Sequence, residues 1–165
     1  MIKLIFIRYL FLFTFTLTIT LVSCNDSKYE CSINTPEQTT IFPKGQKVTN
    51  EHFTGKVWLN YLVPADSIYQ TSIGSVTFEP GARTHWHYHQ GGQILLVTDG
   101  EGLYQEKGKQ IQIIKKGETI KCPPNMEHWH GATSKKSMTH IAIGPNSYTA
   151  KVIWLEPVKD TEYNY

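Results

Sequence analysis

The amino-acid sequence predicts an all-β domain, a barrel or a sandwich, that begins near Ile41. Three observations predict it. Short runs of Val, Ile, Leu, Phe, Tyr and Thr are separated by Gly, Pro and Asn. Asp-Gly and Lys-Gly pairs, which are typical of hairpin turns, lie between such runs. No long segment has apolar residues at helical spacing, so helices are expected to contribute little.

The strands are predicted from the runs between these turns. An Asp99-Gly100 turn makes the runs on either side of it two separate strands of a hairpin. Residues 160–165 are expected to form a short helix or to extend without regular structure. The predicted strands comprise residues 56–63, 73–79, 84–89, 93–98, 102–106, 110–114, 119–122, 127–133, 138–143 and 150–154.

Residues 1–23 have the composition of an export signal. Lys3 and Arg8 precede an apolar run that is short for a membrane span, which needs about 20 apolar residues. The ending at Cys24 resembles a bacterial lipobox, which implies lipidation of this cysteine. An uncleaved anchor and plain secretion are the alternatives. We therefore expect a polar tether over residues 24–40 and a domain over 41–165, held to a bacterial membrane in the cell envelope.

Charge and cysteine content narrow the functional classes further. Without Lys3 and Arg8 the chain has as many acidic as basic residues, so it lacks the basic surplus of a nucleic-acid-binding protein. Cys31 and Cys122 remain if Cys24 is acylated. An exported compartment permits a disulfide between them, and two free thiols are the alternative.

Six of the seven histidines lie between His85 and His140, in groups with a spacing of two. Alternate residues of a strand share one face, so His87 and His89 can present two imidazoles to one point. His128 can reach that point from a neighbouring strand, and the Gln93 carbonyl oxygen can supply a fourth ligand. This arrangement predicts a site for a divalent metal.

Two stretches resemble the conserved motifs of the cupin family. From Gly81 to Gly100, the glycine, the His-x-His pair and the closing glycine have the cupin spacing, although Gln93 replaces the usual glutamate. From Gly117 to His128 the second motif matches, although Asn125 replaces the usual glycine. The resemblance implies a double-stranded β-helix, or jelly-roll barrel. It also implies four metal ligands, which are His87, His89, Gln93 and His128.

Further segments resemble a narrower group of small bacterial cupins with a His-His-Gln-His site. Among them are Val76-Thr-Phe-Glu-Pro-Gly and Trp154-Leu-Glu-Pro-Val. Some members of this group occur beside carboxymuconolactone-decarboxylase-like domains, and a few are manganese-dependent hydroxynitrile lyases. The resemblance implies manganese as the first choice of metal, with iron, zinc and nickel as alternatives. Cupins with edge strands like these often form dimers, so a homodimer is expected by analogy.

The neutral Gln93 leaves the full charge of a divalent ion in place, which favours Lewis-acid chemistry at an oxygen atom. His130 and His140 are candidates for the acid and base, because histidine titrates near neutrality. We expect a lyase, isomerase or dioxygenase step on a small oxygenated molecule, and hydroxynitrile cleavage is one such step. A non-catalytic envelope protein that binds a small ligand or a metal is the alternative.

Expectations for the neighbouring residues follow from strand alternation. Tyr104 is expected to line the pocket and Arg83 to make structural hydrogen bonds. His85 is expected to narrow the pocket, to serve as another ligand, or to be exposed at the barrel mouth. Three aromatic residues alternate with the histidines and should face away from the metal, namely Trp86, Tyr88 and Trp129.

Overall fold

The computed structural model describes residues 41–164, and its secondary structure is almost entirely β. The all-β prediction is therefore confirmed. No helix in this range is both long and apolar enough to cross a membrane. The elements are β1 (Gln46–Lys47), β2 (Phe53–Thr54), β3 (Val57–Val63), β4 (Ser72–Phe78), β5 (Arg83–Thr84), β6 (His87–His89), β7 (Gln93–Glu106), β8 (Gln112–Lys115), β9 (Thr119–Cys122), β10 (His128–Ala132), β11 (Met138–Gly144), β12 (Val152–Trp154) and α1 (Asp160–Tyr163).

All paired strands are antiparallel, and the sheet curls on itself as expected for a jelly-roll barrel. The strand order is β1-β3-β4-β11-β7-β10-β5-β2. Strands β8 and β9 pair with β7, while β6 joins β10 to β12. Strand β7 is shared by the two halves of the fold. Its first half pairs with β9 and β11, and its second half pairs with β8 and β10.

The hairpin predicted at Asp99-Gly100 is wrong, because β7 runs unbroken through this position. Gly100 has a φ of 73°, and a Cβ atom added to it would lie 2.0 Å from the Ser137 carbonyl oxygen. Here the register between β7 and β11 shifts by one residue, beside Thr139 and His140. Positive φ and close backbone contact are features of a bulge as well as of a turn. The glycine therefore bends one long strand from one half of the barrel into the other.

The predicted strand over residues 84–89 is divided into β5 and β6. The intervening His85 donates its backbone N–H to the His52 carbonyl oxygen, and Trp86 donates its backbone N–H to the Glu156 carbonyl oxygen. Strict alternation therefore ends at this break. Strands β1 and β2 were not predicted, because each has only two residues and carries no pattern. Residues Asp160–Tyr163 form α1, one of the two states expected for this segment.

The interior of the barrel is filled by apolar side chains that point inward from β3, β4, β7 and β11. Phe78, Leu95 and Met138 are among them, and each is fully buried. A second cluster forms where the C-terminal segment packs on β10, and it contains Trp86, Leu103, Trp129, Val158 and Tyr163. Trp86 and Trp129 therefore pack away from the histidines, as predicted.

Arg83 has the structural role expected of it. Its guanidinium donates hydrogen bonds to the Val158 carbonyl oxygen at 3.0 Å and to Asp160 Oδ1 at 2.6 Å. It also lies 4.5 Å from the centre of the Tyr163 ring. Tyr163 in turn donates to the Ala132 carbonyl oxygen at 3.0 Å. These contacts fasten the C-terminal segment to β5 and β10.

The predicted signal over residues 1–23, the tether over 24–40 and the lipidation site Cys24 lie outside the described residues. Within the described part of the chain, Cys122 has a free, buried thiol. Its candidate partner Cys31 also lies outside that part.

Candidate metal centre and adjoining cavity

The four predicted metal ligands come from three strands, of which β10 pairs with both β6 and β7. His87 and His89 lie on β6, and His128 lies opposite His87 on β10. Gln93 opens β7 after the turn at residues 90–92, opposite Cys122 of β9. The side chains of His87, Gln93 and His128 are all buried.

Backbone carbonyl groups orient two of these imidazole rings. His87 Nδ1 lies 3.0 Å from the His85 carbonyl oxygen, and His128 Nδ1 lies 2.8 Å from that of Met126. A carbonyl oxygen only accepts hydrogen bonds, so both Nδ1 atoms carry the proton. Each Nε2 atom therefore keeps a lone pair. This is the tautomer and the type of support that metal-binding histidines have.

The free donor atoms converge. His128 Nε2 lies 3.0 Å from Gln93 Oε1, and the centres of the His87 and His128 rings are 4.2 Å apart. The His89 ring is 5.8 Å from that of His128, and its buried Nε2 atom has no hydrogen-bond partner among the described residues. Lone pairs of Nε2 and Oε1 facing each other are stabilised by a cation between them, so these residues fit a divalent metal.

His130 also approaches this group. Nitrogen atoms of His87, His128 and His130 lie within 4.8 Å of one another. His130 was predicted as an acid or base and not as a ligand. Its position on the same face of β10 as His128 explains its proximity, and all residues of this strand are buried.

His130 and His140 form a buried pair beside the predicted ligands. Their ring centres are 4.9 Å apart and nearly perpendicular, and both rings pack against Phe78. His130 Nδ1 and both nitrogens of His140 have no hydrogen-bond partner in residues 41–164. Unpaired buried nitrogens are costly, so they indicate atoms that are available to a ligand.

Burial keeps these histidines neutral. It is the main cause that lowers the pKa of His89, His128 and His140 to about 4 each, from an ordinary value of 6.5. Burial also holds the pKa of His87 and His130 well below 6.5, and the neighbouring imidazoles lower it further. Neutral imidazole both ligates metals and accepts protons, so the group has the protonation state that either role requires.

A cavity of about 180 Å³ adjoins the histidines. His87, His89, Gln93, His130 and His140 line its inner end. The rest of its wall is largely apolar, and its exposed lining residues Tyr61, Lys151 and Val152 mark the mouth. The apolar wall residues include Val48, Phe53, Leu59, Val76, Phe78, Ala142 and Trp154.

Two expected neighbours of the site have other positions. Tyr104 is not a lining residue; it lies behind His128, with the ring centres 5.7 Å apart, and its hydroxyl donates to Glu106. His85 is half-buried and also absent from the cavity wall, because the break between β5 and β6 interrupts the alternation. Its backbone carbonyl contributes instead by orienting His87.

Cys122 lies directly behind His128. Its sulfur is 3.0 Å from His128 Nδ1. Burial raises the pKa of the Cys122 thiol to about 11, so the group is a protonated thiol and not a nucleophile.

Two residues of the cavity were missed by the sequence reasoning, namely Phe78 and Trp154. Phe78 contacts both unpaired histidines, and Trp154 lies 4.7 Å from the His87 ring. The alternation of polar and apolar residues in β4 places Phe78 on the inner face. That signal was present in the sequence. The contact of Trp154 depends on the pairing of β12 with β6, for which no local signal exists.

Comparisons with known proteins agree with this architecture. Residues 74–144 match the cupin domain. The chain is 42% identical over 111 residues to an (R)-mandelonitrile lyase from Granulicella tundricola, which covers 67% of this chain and 85% of the relative. A crystal structure of a cupin-like protein from Thermotoga maritima matches with a TM-score of 0.74 and 46% identity, over 76% of this chain and 96% of that one.

A predicted oxalate decarboxylase from Thermotoga maritima matches with a TM-score of 0.56 over 71% of this chain and 97% of its own. Its identity of 19% supports the fold alone. The sequence identity to the mandelonitrile lyase, the match of the central strands and the curled antiparallel sheet lead to one conclusion. The chain belongs to the cupin family.

Proposed function

We propose that the protein is a metal-dependent lyase that cleaves or forms a small 2-hydroxy nitrile or a related oxygenated molecule. One observation carries the proposal. Four neutral donor groups lie close together beside a largely apolar cavity, and two further histidines that line the cavity have unpaired nitrogens. The 42% identity to an (R)-mandelonitrile lyase supports the reaction type.

The proposed ligands are His87, His89, Gln93 and His128. Imidazole nitrogen and amide oxygen suit several divalent ions, and manganese is our first choice, with iron, zinc and nickel as alternatives. When bound, the ion supplies Lewis-acid stabilisation of negative charge on a substrate oxygen. Because all four ligands are neutral, none of them offsets the charge of the ion.

His140 is the proposed base, and His130 its partner. In cleavage of a 2-hydroxy nitrile, the base accepts the hydroxyl proton while the carbon–carbon bond to the nitrile breaks. The same proton then leaves with cyanide, and an aldehyde is the second product. Burial lowers the pKa of His140 to about 4, so the ring is neutral near pH 7 and has an unprotonated nitrogen that can take up the proton.

The cavity wall supplies binding and excludes water. Phe78 packs against both histidines and fixes their ring planes. Trp154 also lines the cavity, where its ring stacks on that of His52 and lies near that of His87. An apolar substrate body buried here gains about 25 cal/mol per Å² of apolar surface removed from water.

We also propose that the protein works outside the cytoplasm in the cell envelope, anchored to a bacterial membrane through a lipid on Cys24, and that it forms homodimers. The export-like residues 1–23 and the lipobox-like ending support the location. The analogy with other cupins that have edge strands supports the dimer.

The experiment is a cyanide-release assay with racemic mandelonitrile and the manganese-loaded protein. We expect release well above that of the same concentration of free manganese. A His87→Ala/His128→Ala double variant should return the rate to the free-metal level. Release by the parent protein that does not exceed free metal contradicts the proposal.

A further inference from the structure

The cavity has an unbalanced charge. Its described lining residues include no aspartate and no glutamate, and Lys151 is the one charged residue among them. Burial lowers the pKa of His128, and the charge of the Glu106 carboxylate offsets part of this effect. Glu106 is not a lining residue of the cavity, however; it accepts a hydrogen bond from the Tyr104 hydroxyl and forms an ion pair with Lys109. A divalent ion held by neutral ligands would therefore meet no compensating negative charge from the wall of the cavity.

An uncompensated cation in an apolar surrounding attracts an anion strongly, because the interaction is poorly screened there. The unpaired nitrogens of His130 and His140 line the same end of the cavity. A neutral imidazole has one N–H group, so each of these two rings can donate a hydrogen bond to an oxygen atom of such a ligand.

Lys151 is fixed at the mouth beside the histidines. Its backbone N–H donates to Gln90 Oε1 at 2.9 Å, and its carbonyl oxygen accepts from the Gln90 N–H at 3.1 Å. The next residue, Val152, lies opposite His89 in the register of β12 and β6. No acidic residue in the range 41–164 forms an ion pair with the exposed Lys151 ammonium group. A positive group at a mouth of this kind draws anions toward the cavity.

The size and polarity of the wall define the remainder of the ligand. The cavity volume is about 180 Å³. An apolar cavity of about 150 Å³ in another protein takes up benzene. The apolar lining residues, such as Leu59, Val76 and Phe78, thus leave room for a ligand whose apolar part is a single ring.

We propose that the site selects small organic carboxylates with an apolar body of single-ring size, which enter past Lys151 and place their anionic oxygens at the histidine end. This inference rests on the proposed metal site. It goes beyond the proposed cleavage of a neutral nitrile, because it names the charged class of molecule that the site binds preferentially.

Titration calorimetry tests the inference with the full chain loaded with manganese. The probes are mandelate and mandelamide, which share the ring and the hydroxyl group and differ in charge. We expect mandelate to bind at least tenfold more tightly, and to bind several-fold more weakly to metal-free protein or in 0.5 M sodium chloride. Equal binding of the two probes, or tighter binding of mandelamide, overturns the inference.

A pair of lysine variants tests whether Lys151 at the mouth of the cavity contributes to anion binding. Lys151→Gln should weaken mandelate binding several-fold at unchanged metal content. The matched control is Lys135→Gln. Lys135 is exposed, lies just before the start of β11 and is not a lining residue of the cavity, so this variant should leave mandelate binding unchanged. Unchanged binding in Lys151→Gln overturns the role of Lys151.

The same preparations are assayed for cyanide release from mandelonitrile, which separates the two proposals. Cyanide release without a preference for mandelate overturns the carboxylate inference alone. A preference for mandelate without cyanide release overturns the lyase proposal alone. Protein that takes up no metal overturns both.

Discussion

Among the single residues of the site, His140 has the simplest surroundings. It is fully buried, packs against Phe78, and has a ring centre 4.9 Å from that of His130. Neither of its nitrogens has a hydrogen-bond partner in the described part of the chain. A buried polar group without a partner usually costs about 1–3 kcal/mol. The unpaired nitrogens of His140 are therefore a cost to the fold, which is consistent with the role of base that we propose for this residue.

We expect His140→Gln to lower cyanide release at least 100-fold while metal content stays at the parent level, because glutamine cannot accept the proton. The control is His85→Gln, since the His85 side chain lies outside the cavity wall. Steady-state assays with elemental analysis of each variant check this. A His140→Gln protein with parental turnover would remove His140 from the mechanism.

A second pair of variants decides which residues bind the metal together with His87 and His128. The predicted set adds His89 and Gln93, whereas the most closely spaced nitrogens add His130. We expect His89→Ala to lower metal affinity at least tenfold and His130→Ala to leave it nearly unchanged, because Gln93 Oε1 already faces His128 Nε2. Competition with a chelating dye measures both. The reverse order of affinities would make His130 a ligand and His89 a neighbour.

Much of the site could be predicted from the sequence, since residues two apart on a strand share a face. This rule places His87 with His89 and His128 with His130, and the cupin-like spacing adds Gln93. The rule failed for His85, because a backbone hydrogen bond to His52 breaks the strand at that point. It could not place Tyr104 behind His128, since depth within a barrel depends on how the sheet curls.

At the level of elements, β7 is the strand on which the barrel depends most. It pairs with four strands, and it changes partners near Gly100. The sequence correctly indicated an unusual backbone at Asp99-Gly100. It could not indicate a bend instead of a hairpin, because that choice depends on β10 and β11, which come later in the chain and pair with the two halves.

We expect Gly100→Ala to lower the free energy of unfolding by several kcal/mol, because it combines positive φ with a Cβ clash against Ser137. Gly108 is a matched control. It has a φ of 78°, but an added Cβ atom would meet nothing within 4 Å, so Gly108→Ala should cost about 1 kcal/mol. Urea denaturation of both variants measures the difference. Equal losses would mean that close packing at the bend adds nothing.

For the molecule as a whole, the buried histidines make stability depend on pH. The pKa of His128 and of His140 is about 4 in the folded protein, against 6.5 ordinarily. Between these values the unfolded chain binds more protons than the folded one, so acid favours unfolding. The stabilisation is complete above pH 6.5 and is lost as pH falls toward 4.

We therefore expect the free energy of unfolding of the metal-free protein to fall by a few kcal/mol between pH 7 and pH 5. Urea denaturation at half-unit steps measures it. The His140→Gln variant should show a shallower decrease, because one titrating group is absent. Stability that is constant or rises over this interval would show that these histidines are not buried in their neutral form.

The central claim is that the converging histidines hold a divalent metal. Elemental analysis of the protein, purified without a nickel resin, tests it most directly beside the His87→Ala/His128→Ala variant. We predict nearly one equivalent of manganese or another divalent metal in the parent and almost none in the variant. A folded parent that contains no metal, and takes up none when metal is added, would contradict the account.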